Sequence, residues 1–116
     1  MSNQAPGKTT IAPEVLITIA RLNTLSVPGV SRLSTTPGDV NQLLIRGTNE
    51  GVKITVENGI VYADIYVILN QDVEVREIGH QIQAKISRAI SEMVGMEVGK
   101  VNIHVEDIDT ISAKES

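Results

Sequence analysis

The dipeptide Asn58-Gly59 constrains the fold of this 116-residue chain more than any other feature. Asn-Gly favours a two-residue turn in which both residues take positive φ, and it therefore predicts a β-hairpin. The register that follows pairs Val56 with Val61 and Lys53 with Asp64. A slip of one residue would send every side chain to the other face, so the alternation fixes this register. The aliphatic face of the hairpin is then Val52, Ile54, Val56, Val61, Ala63, Ile65, Val67 and Leu69.

An amphipathic helix is predicted on each side of the hairpin. The first spans about residues 13–25, with Pro13 and Glu14 in a first turn that favours both residue types. The second spans about 73–94, after Asp72 as N-cap and before Gly95 as the end. The helical spacing of 3.6 places apolar residues on one stripe of each helix. These are Val15, Leu16, Ile19 and Leu22 in the first, and Val75, Ile78, Ile82, Ile86, Ala89, Ile90 and Met93 in the second.

The remaining segments complete an α+β fold. Residues 30–34 alternate weakly and predict a short edge strand, and 99–106 alternate fully and predict a closing strand. Between them, Asp39 as N-cap and Gly47 as terminator indicate a short helix or ordered loop. We expect a two-layer sandwich, with a mostly antiparallel sheet of three or four strands and two main helices on one face, in the order α-β-(short α)-β-β-α-β. Residues 11–109 form the single domain, 1–10 a disordered arm and 110–116 a solvated tail.

Composition and charge exclude several classes of function. The chain has no cysteine, which rules out disulfides, thiolate catalysis and cysteine zinc sites. Its formal charge of −4 argues against direct binding to nucleic acid or to an anionic bilayer. No apolar run approaches the roughly 20 residues that span a membrane. We therefore expect a cytoplasmic protein without direct membrane insertion.

No arrangement of residues indicates catalysis, a metal or a cofactor. His80 has no ligand four positions away, as a helical metal pair requires. Glu106, Asp107 and Asp109 lack the glycine and the closing glutamate of a calcium loop. The serines have no nucleophile-elbow context. The sequence thus predicts a protein that is not an enzyme and that needs no cofactor.

The face of the hairpin opposite the aliphatic one is the candidate interaction surface. It carries the only two aromatic residues of the chain, Tyr62 and Tyr66. A helix layer covers one side of an antiparallel sheet, so the other side meets solvent or a partner. Tyrosines also simply favour strands, which is the alternative explanation of their position. The predicted surface comprises Lys53, Tyr62, Asp64, Tyr66, Asn102 and His104.

Four stretches in this order resemble the bacterial alkaline-shock-protein family, also called envelope stress response proteins. They are APEVLITIARLNTLSVPGVSRLS, GVKITVENGIVYADIYVILN, VEVREIGHQIQAKISRAISEMVGMEVGKV and NIHVEDI. The resemblance implies a non-enzymatic cytoplasmic protein that sits near the membrane by binding membrane-anchored relatives and that self-associates. Residues 35–50 depart from the glycine- and lysine-containing insert associated with the family.

A KH-like nucleic-acid-binding module is the alternative from another class, because its element order is not far from this one. Against it stand the acidic charge, the few aromatics and the absence of a GXXG loop between two helices.

Overall fold

A computed structural model describes residues 10–35 and 47–110. Most of the predicted arm, most of the predicted tail and the segment that begins at Asp39 lie outside the described residues. Gly47, the expected terminator of that segment, is instead the first residue of a strand. The elements are α1 (Pro13–Leu25), β1 (Val30–Leu33), β2 (Gly47–Asn49), β3 (Val52–Glu57), β4 (Ile60–Asn70), α2 (Val75–Val94) and β5 (Glu97–Asp109).

The sheet is built around β4, which pairs with β1, β3 and β5. β5 runs parallel to β4 along one edge, from the pair Ile60–Glu97 to the pair Asn70–Asp109. The other edge of β4 is shared by β3 and β1, which are both antiparallel to it. β2 pairs with the outer side of β3. The described part of the chain therefore contains a five-stranded sheet, one strand more than expected, because three residues after the Asp39 segment join it as β2.

The hairpin forms with the predicted turn and register. Asn58 and Gly59 have φ values of 52° and 79°, as a two-residue turn with positive φ requires. All six expected pairs are present, from Glu57–Ile60 to Val52–Ile65. The aliphatic face is buried except for Val56, which is half-buried.

Both helices pack on the aliphatic face of the sheet. α1 has the predicted bounds, and α2 ends at Gly95 in the left-handed conformation, as expected. α2 begins at Val75 after Glu74 as N-cap, and the expected cap Asp72 lies before it with φ of 64°. Buried residues of both helices join those of β3, β4 and β5 in one core, which confirms the α+β fold with helices on a single face. The helical part of this core is Leu16, Ile17, Ile19, Ala20, Ile78, Ile82, Ile86 and Ile90.

The buried stripe of α1 is displaced from the one that the sequence pattern indicates, and that of α2 is narrower. Val15 and Leu22 of α1 are 44% and 62% exposed, and Val75 and Met93 of α2 are 45% and 68% exposed. α1 instead buries Ile17 and Ala20, which lie on the side of the stripe that faces the sheet. These four exposed side chains lie at the margins of their stripes, where the surface of the helix curves away from the flat sheet.

Candidate interaction surface

Tyr66 lies on the sheet face opposite the helices, between side chains of two neighbouring strands. Its ring stacks on that of His104 from β5, with 4.4 Å between centroids and an interplanar angle of 11°. Lys53 Nζ from β3 lies 5.6 Å from the centroid of the same ring, within the range of a cation–π contact. Tyr66 is consequently only 8% exposed, although it lies outside the aliphatic core. The expected face is correct, but Tyr66 is less accessible than an exposed aromatic anchor would be.

Asp64 connects the same surface to β5 by hydrogen bonds. Its Oδ1 lies 2.9 Å from His104 Nε2 and accepts a hydrogen bond from Asn102 Nδ2 at 3.2 Å. The parallel register brings these groups together, because it pairs Asp64 with Asn102 and Tyr66 with His104. The side chains of Asp64 and His104 remain 37% and 40% exposed, so solvent or a partner reaches both.

Tyr62 packs over a glycine at an irregularity in β5. Pairing between β4 and β5 shifts by one residue between Val61–Val98 and Ala63–Val101. A Cβ added to Gly99 in this interval would lie 2.5 Å from Tyr62 Cε1. An aromatic ring that covers a strand glycine in this way restores the packing that glycine lacks.

The structure thus brings all six residues of the predicted surface onto one sheet face. Five of them form a connected cluster across β3, β4 and β5, and Tyr62 lies beside it over Gly99. In the parts of the chain described, both helices pack on the other face. The cluster offers a carboxylate, an amide and an imidazole to an incoming molecule. Because these groups are already held by one another, a partner would meet them with little further loss of side-chain entropy.

The described residues contain no group of three or more histidine and acidic side chains that could hold a metal ion. Asp109, from the acidic strand end, accepts hydrogen bonds from Ser31 at 2.6 Å and Arg32 at 3.1 Å. It therefore fastens β1 to β5 across the end of β4. His80 is exposed on α2.

The KH-like alternative gains no support from the element order. Four strands separate α1 from α2 in the described chain, so these helices do not flank a common loop of the GXXG kind.

Two grooves were not foreseen from the sequence. One, of about 490 Å³, lies between α1 and the end of α2 and is lined by Val15, Leu22 and Met93, among others. The other, of about 460 Å³, lies between α2 and β5 and has a mixed lining, in which Val75 and Val105 lie beside Arg76 and His80. The helical period could place these residues on apolar stripes, but which edge of a stripe stays uncovered depends on the packing angle of the helices.

A family model described as having a cell envelope-related function, that of the alkaline shock proteins, matches residues 1–110. The chain belongs to this family. This confirms the resemblance that the four sequence stretches indicated. The uncharacterized protein Spy1535 of Streptococcus pyogenes serotype M6 is 34% identical over 114 residues, which cover 93% of this chain and 84% of that protein. The uncharacterized protein YqhY of Bacillus subtilis is 26% identical over 104 residues, covering 88% and 77% respectively.

Solved structures with the same fold include variants of the MamM CTD. One aligns with a TM-score of 0.53 at 12% identity and covers 85% of this family member and all of that chain. The nickel form of another aligns with a TM-score of 0.51 at 11% identity, over 83% and 99% of the two chains. At this level of identity the likeness shows the shared fold alone.

Among the described residues of this family member, neither helix has both the length and the hydropathy that a membrane crossing requires.

Proposed function

We propose that this protein is a non-enzymatic interaction module of the envelope stress response. It docks through the polar sheet face onto membrane-anchored relatives of its own family, and it works in the cytoplasm at the inner face of the membrane. The observation that carries the proposal is the connected cluster of Lys53, Asp64, Tyr66, Asn102 and His104 on a face that the two helices leave open.

The composition of this face suits a protein partner better than the other classes. Tyrosine within a polar surround is typical of contact surfaces, since it supplies apolar area together with a hydrogen-bonding group. The cluster contains both Lys53 and Asp64, so it is not a uniformly basic surface of the kind that follows a phosphate backbone. The cell envelope-related description of the family agrees with a partner at the membrane.

An enzymatic role has no comparable support in the geometry. His104 and Asp64 form the nearest approach to an acid–base pair. A triad would also require a nucleophile within reach of the imidazole, and the neighbour of His104 is the stacked ring of Tyr66. We therefore propose that the histidine fixes the position of the ring and the carboxylate.

The test is co-sedimentation of the full chain with inside-out membrane vesicles from its native host and with vesicles of pure host lipid. The wild-type chain should sediment with the host vesicles and remain in solution with pure lipid, because the partner is a protein. Thr55→Arg adds a long charged side chain to the open face beside Tyr62, its neighbour across β3 and β4. It should weaken binding to host vesicles about tenfold or more, as an unpaired charge in an interface does.

Ser91→Arg is the matched control, since Ser91 is exposed on α2, in the other layer. This variant should sediment like the wild-type chain. Equal binding by the Thr55→Arg and Ser91→Arg variants would contradict docking through the sheet face. Equal binding of the wild-type chain to pure lipid would contradict a protein partner.

A further inference from the structure

The outer edge of β5 is the longest strand edge without a partner strand among the described residues. β5 has 13 residues and pairs with β4 alone. A strand edge presents backbone N–H and C=O groups that can pair with another chain. The groove between α2 and β5 lies beside this edge. It contains two exposed large apolar side chains, Val75 at 45% and Val105 at 37%.

The sequence of β5 is complementary to itself in the antiparallel direction. If two copies meet with Ile103 opposite Ile103, Val101 lies opposite the partner's Val105. In the same register Lys100 faces the partner's Glu106, twice in the pair because of the two-fold symmetry. Both charged residues are exposed in the single chain. Opposite charges and β-branched residues placed directly across a ladder stabilise it.

Two irregularities in the pairing of β5 with β4 lie on either side of Ile103. The pairing with β4 shifts once between Val98 and Val101 and once between Val105 and Asp107. The regular segment between these shifts is residues 101–105, and its centre is Ile103. Bulges bend a strand and end regular pairing, so they limit an added strand to this segment and to the residues that border it, Lys100 and Glu106. The result is a closed pair, and continued addition of strands is disfavoured.

We infer that a second copy of this chain docks on β5 in antiparallel orientation, with the two-fold axis at Ile103, and closes the groove beside α2 over Val75 and Val105. The amide of Gln83 donates to the carbonyl of Val101 at 3.0 Å. A strand that pairs there replaces this side-chain donor with a backbone N–H. The two sheets then form one continuous sheet, and Asn102 of each copy lies beside the partner's His104 on the polar face.

Charge reversal tests this register without touching the core. Lys100→Glu and Glu106→Lys each place like charges opposite each other twice in the pair. Each variant alone should raise the dissociation constant of the dimer about tenfold, measured by sedimentation velocity over a concentration series. A mixture of the two single variants restores both opposite-charge pairs in a heterodimer, as does the double variant on its own. Both should therefore recover the wild-type dissociation constant, which a folding defect would not do.

A cysteine at the axis tests the position of the two-fold directly, because the chain has no cysteine of its own. In an antiparallel pair, opposite Cα atoms lie about 4.5–5.5 Å apart, within the range of a disulfide. Under mild oxidation, Ile103→Cys should give a disulfide-linked dimer, whereas Ser91→Cys on the exposed side of α2 should not.

The inference is overturned if the wild-type chain sediments only as a 12.5 kDa species over the concentration series or forms assemblies larger than a pair. It is also overturned if the mixed variants fail to recover the wild-type dissociation constant, or if Ile103→Cys links no better than Ser91→Cys. These measurements use the purified chain without membranes. A negative result would therefore leave docking through the sheet face unaffected. Conversely, the Thr55→Arg substitution lies on the other side of β4 and should not change the mass of the dimer.

Discussion

Tyr66 owes its burial to polar neighbours on the sheet face. The imidazole of His104 lies on its ring, and the ammonium group of Lys53 lies within 5.6 Å of its centroid. Strand alternation could predict which face Tyr66 occupies, because the period of two is local. It could not predict the stack, because that requires the parallel register of β4 and β5, two strands separated by α2.

His104→Ala should lower the free energy of unfolding by about 1–2 kcal/mol, because it removes a ring stack and a hydrogen bond to Asp64. Urea unfolding followed by circular dichroism measures this at fixed protein concentration. His80→Ala is the control and should change the free energy by less than about 0.5 kcal/mol, since His80 is exposed. Equal effects of the two substitutions would show that the stack does not stabilise the fold.

Gly99→Ala should lower the free energy of unfolding by about 1–3 kcal/mol, because its Cβ would lie 2.5 Å from the ring of Tyr62. Gly79→Ala is the contrasting change. A Cβ there meets nothing within 4 Å, and alanine in the helix interior should stabilise α2 by about 0.5–1 kcal/mol. Thermal unfolding of both variants should therefore shift in opposite directions. A stable Gly99→Ala variant would contradict the packing of Tyr62 over the glycine.

Each helix of the structure has one face on the core and one apolar margin in solvent. The hairpin was predictable down to its register because its turn, its period and its charge pair all lie within 20 residues. The stripes of the helices were predictable only in part. Leu16 and Leu22 fit the same helical period, yet they are 1% and 62% exposed, because the angle at which α1 crosses the sheet decides which one is covered. No local sequence pattern predicts that β2 pairs with β3 or that β5 runs parallel to β4, because both depend on contacts between separate segments of the chain.

Ile82→Ala should lower the free energy of unfolding by about 2–5 kcal/mol, since its side chain is fully buried at the centre of α2. Leu22→Ala removes a side chain of the same size from a site that is 62% exposed, and it should cost less than about 1 kcal/mol. Chemical denaturation of the two variants compares the buried side of the helix layer with its exposed side. A large loss at Leu22 would show that the outer margin of α1 is covered in solution.

At the scale of the whole molecule, the fold separates two kinds of surface. The aliphatic face of the sheet and the inner faces of both helices form the core. The other sheet face holds the connected polar cluster and no helix among the described elements. The edge of β5 lies between these two surfaces, so a dimer built there would present two copies of the polar face side by side. Two weak docking sites held together in this way would bind a membrane-anchored partner with increased avidity.

Hydroxyl-radical footprinting of the full chain, with and without inside-out vesicles from its native host, tests docking through the sheet face most directly. Tyr62 and His104 report on the polar face, and Leu22 and Met93 report on the helix side of the same molecule. We expect the vesicles to slow oxidation of Tyr62 and His104 and to leave Leu22 and Met93 unchanged. Protection of Leu22 and Met93 with no protection of Tyr62 and His104 would contradict the proposed docking surface.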